Sequence, residues 1–450
     1  MRTGRRRTTE HRNTLLFVAI SLISGFGATA LNVTAGVWVL DLSGSSSLAA
    51  LTGLCLFAPT LLGPALGALV DRLPRRPLII WTHLLTAGAV LSLLAVRSDA
   101  QIWLIYAVMV GYGTSLVLVD AAESALLPAA LPPAALGGVN GLRTSAQEGV
   151  KLVAPLVGAG LFAWQGGYPV AALTAGALTL AAVLYPLLRI RPLAVPRSDL
   201  PGRPEPTPDR KVPGRMLAGL GFLWRHPELR GTVLIGSVTI AMSGLTTAAV
   251  YAVVTEDLHQ PAAFVGVLSS GQGAGSLLGG LIVGRLLAAR GSTVVGALGT
   301  VLFAVGTVGR AIPWTPAAVV CSVVVGVGLP WTLVAAVTAI QARTPPALLG
   351  RVSGSANTLL FAPVAIATPV GAVLVLPDHR LPLLVAAVLC LGIGLVALRS
   401  ARRAGQPGPD TRPPDTRTAA QPQERAEDGK SANADTKTVD AAQGDLTVGS

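Results

Sequence analysis

Five ionisable residues interrupt stretches that are otherwise apolar: Asp120, Glu123, Arg143, Glu148 and Lys151. A charge in hydrocarbon costs ~2.5–3.5 kcal/mol on insertion scales, so each is a functional candidate by default. On a helix, Asp120 and Glu123 share a face, as do Glu148 and Lys151. Arg143, Gln147 and Lys151 step by four along one stripe. The chemistry open to such groups is proton binding and exchange of ion-pair partners. A carboxylate in low dielectric holds its proton more tightly, which brings loading and release towards neutral pH, and a nearby lysine opposes that shift. Glu148 and Lys151 are expected to form part of a central site, Glu148 lying ~17 Å along its helix and so near mid-membrane. A static ion pair between two helices is the competing reading. Asp120, Glu123 and Arg143 fall nearer helix ends and are expected to act as a gate or tether. Of the uncharged polar residues within spans (Asn32, Thr34, Gln272, Asn357), Asn32 and Gln272 join the transport candidates, although such groups often only bond across helices.

A second charged cluster has a different setting. GALVDRLPRRPLII, residues 67–80, carries Asp71, Arg72, Arg75 and Arg76 between two apolar runs. In a short loop between two membrane helices these charges need not be buried. Asp71 would favour a helix N-terminus electrostatically, and the arginines would reach anionic head groups.

The elements that position these residues follow from composition. Of 450 residues, 51% are hydrophobic and 12% charged, where a globular domain carries about 25% charged residues. Too little polar surface is left to cover a soluble core of this size. The net charge of +12 and pI of about 10.6 would point to nucleic acid in a soluble protein. Here the positions of the charges assign them to membrane orientation, and no nucleic-acid partner is expected. Cys55, Cys321 and Cys390 lie in apolar runs without metal-ligand spacing, and the histidines are scattered. No catalytic pattern stands out, so neither an enzyme nor a bound cofactor or metal is expected.

Apolar runs long enough to cross a bilayer lie at approximately 14–39, 48–70, 77–96, 101–126, 137–162, 167–189, 231–254, 262–285, 292–310, 314–340, 350–376 and 381–399. These predict an all-α membrane protein with twelve transmembrane helices. With the N-terminus inside, the inner side receives most of the basic residues, from Arg2 through Arg72, Arg75, Arg76, Arg285, Arg290 and Arg343. Only Arg97, Arg310 and Arg380 fall outside. That asymmetry places both termini in the cytoplasm, in a cytoplasmic (inner) membrane. The chain then divides into a cytoplasmic N-terminus (1–13), a six-helix bundle (14–190), a cytoplasmic linker (191–230), a second bundle (231–400) and a disordered cytoplasmic tail (401–450). Within the linker, 216–229 is apolar enough for a helix on the inner membrane face.

PPAALGGVNG at 132–141 returns as PPALLGRVSG at 345–354, identical at seven of ten positions, at an offset of 213. The same offset carries Gly67, Val70 and Arg72 onto Gly280, Val283 and Arg285, and Gly158 onto Gly371. Two six-helix repeats of like orientation follow, the architecture of alternating access around a central site.

At these residues the chain resembles the major facilitator superfamily, over roughly residues 13–400. Gly67, Asp71, Arg72, Arg75 and Arg76 take the places of that superfamily's signature between its second and third helices, and Arg285 marks a degenerate second copy. WVLDLSGSS (38–46) and PAALPPAALGGVNGL are similar to the group of macrolide-efflux and siderophore-export proteins. VAPLVGAG, with Pro155, Gly158 and Gly160, is like the helix-five element of drug antiporters. Ala28 and Asn32 stand where that group often has an Asp and a basic residue in helix one. The resemblance implies the major facilitator fold and a secondary active transporter, driven by a proton gradient, exporting amphiphilic drugs or natural products. Import of a small nutrient or metabolite is the alternative. The expected partners are a small-molecule substrate and the lipid bilayer, and the chain is expected to be a monomer.

Overall fold

The computed structural model describes residues 2–70, 72–131, 133–188 and 212–404, and among them every regular element is helical. Helix α1 (Arg2–Ser43) ends at Gly44, whose φ of 64° suits glycine, and Ser45 caps α2 (Ser46–Phe57) by accepting the Leu48 N–H. Pro59 has no N–H to donate, and the chain tightens into a 3₁₀ turn, Ala58–Leu62, before α3 (Gly63–Val70). Helices α4 (Arg75–Leu91), α5 (Ile102–Ala130), α6 (Pro133–Gln165) and α7 (Tyr168–Leu184) follow.

After α8 (Val212–Arg225) and α9 (Pro227–Leu245), α10 (Thr247–Ala252) sets off at a bend of 40° and runs into a π turn, Val253–Asp257. Then come α11 (Val265–Arg290), α12 (Ser292–Arg310), α13 (Thr315–Arg343), α14 (Pro346–Phe361), α15 (Val364–Leu374) and α16 (Leu381–Ala404). Helix α13 starts 213 residues after α5, and α14 the same distance after α6.

Among the described residues nine helices are long and apolar enough to cross a membrane, or ten if the bent α9–α10 pair is one span. Two further expected spans fall short for visible reasons. The 3₁₀ turn cuts the second, and α6 carries Arg143, Glu148 and Lys151. Leu281, Ile366 and Val388 are 72%, 71% and 70% exposed. Such a belt is costly against water and costs nothing against lipid, which also demands that each span satisfy its own backbone. The chain is a multi-pass membrane protein. Asp71, residues 189–211 (the end of the first expected bundle and the first part of the linker) and the tail beyond 404 lie outside the described residues. The expected surface helix corresponds to α8, which packs on α14 and buries Leu223 in a core with Leu229, Val233 and Ile340.

The cores show how the two halves meet. At the end where α1 begins (the near end), one core holds Phe17, Ile79, Leu126 and Tyr185 of the first half. Another holds Leu223, Ala339 and Leu360 of the second, and the two share no residue. At the opposite, far end, a single core joins Trp38, Ile105 and Phe162 of the first half to Tyr251, Leu258 and Leu268 of the second. There Ser47 Oγ also donates across the halves to the Ala372 carbonyl, at 2.5 Å. The halves are fused at the far end and have separate cores at the near end.

Within the second half, α11 and α13 touch backbone to backbone. A Cβ at Gly326 would stand 2.7 Å from the Gln272 carbonyl carbon. Gly326→Val should therefore destabilise the purified protein by about 1–3 kcal/mol, read as a lower melting temperature in detergent. Gly280→Ala, on the same α11 but with nothing within 4 Å, should leave the melt unchanged or slightly raised.

Candidate functional site

Between the halves lies a cavity of about 250 Å³, walled by α1 and α2 on one side and α9 to α12 on the other. Its polar lining includes Asn32, Thr52, Ser243, Thr246, Gln272 and Arg310, and no acidic side chain lines it. Asn32 and Gln272, chosen from sequence, thus face the same space from opposite halves. Arg310 was expected on the outer side, among the few basic residues outside the membrane. That expectation is overturned. Arg310 is only 7% exposed, its Nε donates to Ser322 Oγ at 3.0 Å and its Nη2 to Gln272 Oε1 at 3.1 Å. Gln272 and Ser322 each lie seven residues in from the far-end start of their helices. The guanidinium therefore turns back into the protein from the last residue of α12. Tight packing of α12 on α13 flanks this turn: a Cβ at Gly306 would stand 2.8 Å from the Cys321 carbonyl.

The near end of the first half holds a second polar assembly. Glu123 of α5 pairs with Arg143 of α6 and accepts the Tyr185 hydroxyl, while Arg143 Nε donates to Ser21 Oγ of α1 at 2.7 Å. Tyr185 stacks edge-on to His83 of α4, centroids 5.5 Å apart. Ser21, His83, Glu123 and Arg143 border a cavity of about 140 Å³ that Asp120 and Gln147 also line. The sequence singled out Asp120, Glu123 and Arg143 of this assembly. It missed Ser21, His83 and Tyr185, each of which reads alone as an ordinary polar residue in a span. The assembly ties elements of one half only.

Glu148 and Lys151 do pair, at 2.6 Å, but line neither cavity. They sit on the face of α6 that meets α11, where Ser276 of the other half donates to the second Glu148 oxygen. Pro155 continues that face, its carbonyl 2.8 Å from where a Cβ of Gly266 would stand, and Gly158 packs its α6 backbone on Ala30 and Thr34 of α1. Gly160 and Gly67 have open space where a Cβ would go. Arg76 donates to the Pro186 carbonyl, fastening the start of α4 to the turn that follows α7, and Arg72 is exposed. Arg75 is half-buried, and Arg285 is exposed with no ion pair among the described residues. Trp331 donates Nε1 to the Gly279 carbonyl at 2.9 Å and joins α13 to α11.

At the far end Arg380, outside the spans, reaches both oxygens of Asp257 at 3.1 and 2.9 Å, and this hydrogen bonding holds its guanidinium above the usual range. The pair closes the turn before α16 onto the π turn. Among the described residues no group of three or more His, Cys, Asp or Glu could hold a metal ion.

Comparison with known proteins gives a match to the Major Facilitator Superfamily over residues 17–252 and again over 233–438. Macrolide efflux protein A of Streptococcus pyogenes is 24% identical over 271 residues, covering 59% of this chain and 64% of that relative's length. Enterobactin exporter EntS of Shigella boydii is 28% identical over 341 residues, 72% of this chain and 73% of the relative. Among solved structures, nucleoside transporter NupG superposes with a TM-score of 0.65 at 13% identity, over 86% of this chain and 98% of that one. A bacterial homologue of the iron transporter ferroportin, in an inward-facing state, does so at 0.62 and 15% identity, over 87% and 98%. At such identities these structures speak for the fold alone.

The near-end pair generates a stability prediction. Arg143→Met leaves Glu123 buried without its counter-ion and should cost about 3–5 kcal/mol, whereas removing both charges with Glu123→Gln as well should cost less. Thermal melts of the two variants and the native protein check this; a double variant no better than the single one refutes it.

Proposed function

Since the chain belongs to the Major Facilitator Superfamily, whose members are transporters and not enzymes, we propose that it is a secondary active exporter of amphiphilic small molecules working by alternating access. The observation that carries this reading is the cavity between the halves, lined from both sides and lying where their far ends share one core while their near-end cores remain separate. With the near end in the cytoplasm, that shape is the one from which an exporter loads. The direction is supported by the efflux and exporter names of the relatives, and the orientation by the positive charge gathered at the near-end loops. In this reading the membrane is the cytoplasmic one, both termini lie inside and the transporter acts as a monomer.

Twelve crossings in two six-helix halves complete the reading, with α2–α3 and α6 as the spans that length and apolarity alone do not pick out. The equal spacing of α5 to α13 and of α6 to α14 supports two like halves. Export is driven by protons, and Glu148 with Lys151 is the coupling element. Glu148 bonds Lys151 within its own half and Ser276 in the other, so its charge bears directly on the contact between them. Asp120, Glu123 and Arg143 tether the near end of the first half, and the loop of Gly67, Asp71, Arg72, Arg75 and Arg76 latches the near-end conformations, with Arg285 as its reduced counterpart.

Expression in an efflux-deficient bacterium should raise tolerance to a subset of amphiphilic drugs. In everted vesicles, export of those compounds should follow an imposed pH gradient, and Glu148→Gln should abolish that dependence. Unaltered gradient-driven export by Glu148→Gln would remove the coupling assignment, and no change in tolerance across a broad drug panel would remove the exporter.

A further inference from the structure

The central cavity contains a cation for which the described residues supply no carboxylate partner. Arg310 is more than nine-tenths buried. Both side-chain groups that receive its hydrogen bonds, Ser322 and Gln272, are neutral, and no carboxylate among the described residues lies within ion-pair distance. Two neutral acceptors satisfy N–H directions but leave the charge itself without a counter-ion, the arrangement that burial penalises most. A structural arginine at a helix C-terminus would point along its own axis or out to head groups. This one instead turns inward, between α11 and α13, to the wall of a cavity that Asn32, Ser243 and Tyr251 also line.

We propose that Arg310 binds the anionic group of the transported molecule, so that the substrate class is a small organic anion: a carboxylate or similar acidic group on a compact apolar body. The inference rests on the transport reading given above. A planar guanidinium matches a carboxylate in a fork of two parallel bonds, and the absence of acidic lining leaves an incoming anion unopposed. Gln272 holds the guanidinium while offering its amide to the same ligand, and Asn32 meets it from the other half. Phe57, Val250 and Leu268 supply the apolar wall for the body. The anion also supplies the missing counter-ion, so the loaded cavity is electrically complete in a way the empty one is not.

The test uses the full chain in nanodiscs and a matched pair of probes, 2-naphthoate and its neutral isostere 2-naphthamide, titrated calorimetrically. The native protein should bind the anion about tenfold or more tightly than the amide, the scale of a charge-assisted hydrogen bond. Arg310→Gln should erase that preference and leave amide affinity unchanged, and Arg310→Lys should keep part of it. Equal affinities in the native protein, no binding of naphthoate, or a preference that survives Arg310→Gln overturns the proposal. Should Arg310→Gln fail to fold, the native comparison and Arg310→Lys still decide. Transport of both probes into everted vesicles separates this from the wider reading. Export of neutral amphiphiles at least as fast as of the anion leaves the exporter standing and removes the anion site. Export of no compound, with the binding preference intact, removes the exporter and leaves the site.

Discussion

Helix α11 is held between two others with no side chains to spare, and the rest of the site depends on that squeeze. Its GQGAGS stretch, 271–276, presents Gly273 to α6 and Gly275 to α13. A Cβ at the first would lie 2.8 Å from the Leu152 nitrogen, and at the second 3.0 Å from the carbonyl carbon of Gly326. In lipid, where apolar burial gains nothing over contact with acyl chains, close backbone approach is what makes helices associate. The residues between the glycines are placed by that contact. Gln272 reaches the cavity wall and the Arg310 guanidinium, and Ser276 reaches Glu148 across the boundary between the halves. Widening either gap moves both polar contacts together.

The charges divide into three kinds, each explained by where its counter-charge lies. Glu123 and Arg143 neutralise one another inside one half, with Tyr185 and Ser21 taking up remaining directions, so this assembly holds a bundle together and costs little beyond its desolvation. Glu148 and Lys151 neutralise one another on the surface of one half, yet Glu148 also leans on the other. Arg310 is neutralised by nothing among the described residues. The gradient from closed pair, to shared pair, to open charge runs from a structural role towards one that needs a partner from outside.

Much of the fold was legible because hydrophobic length is a strong signal and lipid permits few answers. The offset of 213 returns in the starts of α13 and α14. Length alone failed where chemistry competes with it: at the Pro59 turn in the second expected span and in the polar first half of α6. Glu123 and Arg143 could be singled out as charges near helix ends, but their pairing and the part taken by Ser21, His83 and Tyr185 could not, because these contacts are made by packing between separate helices. Arg310 was misplaced for a specific reason. It closes an apolar run and is followed by a turn, so charge placement assigns it to a loop, while its long side chain is free to point either way. The available signal was a pair of polar residues, Gln272 and Ser322, at matching depth in their own helices.

The seam between α6 and α11 bears on movement as well as on position. Interlocked side chains resist sliding, because each must leave a fitted hole. This seam is made largely of backbone, glycine and alanine: Gly273 on Lys151 and Leu152, Gly266 on Pro155 and Ala159. A smooth contact of that kind can shear without unpacking a core, and the polar tie across it is the hydrogen bond from Ser276 to Glu148. The far-end core and the Ser47–Ala372 bond are different, since they must come apart if that end is to open. A change in charge at Glu148 therefore acts on the surface where the least packing resists it, which is where a small electrostatic difference has the best chance of biasing a large rearrangement.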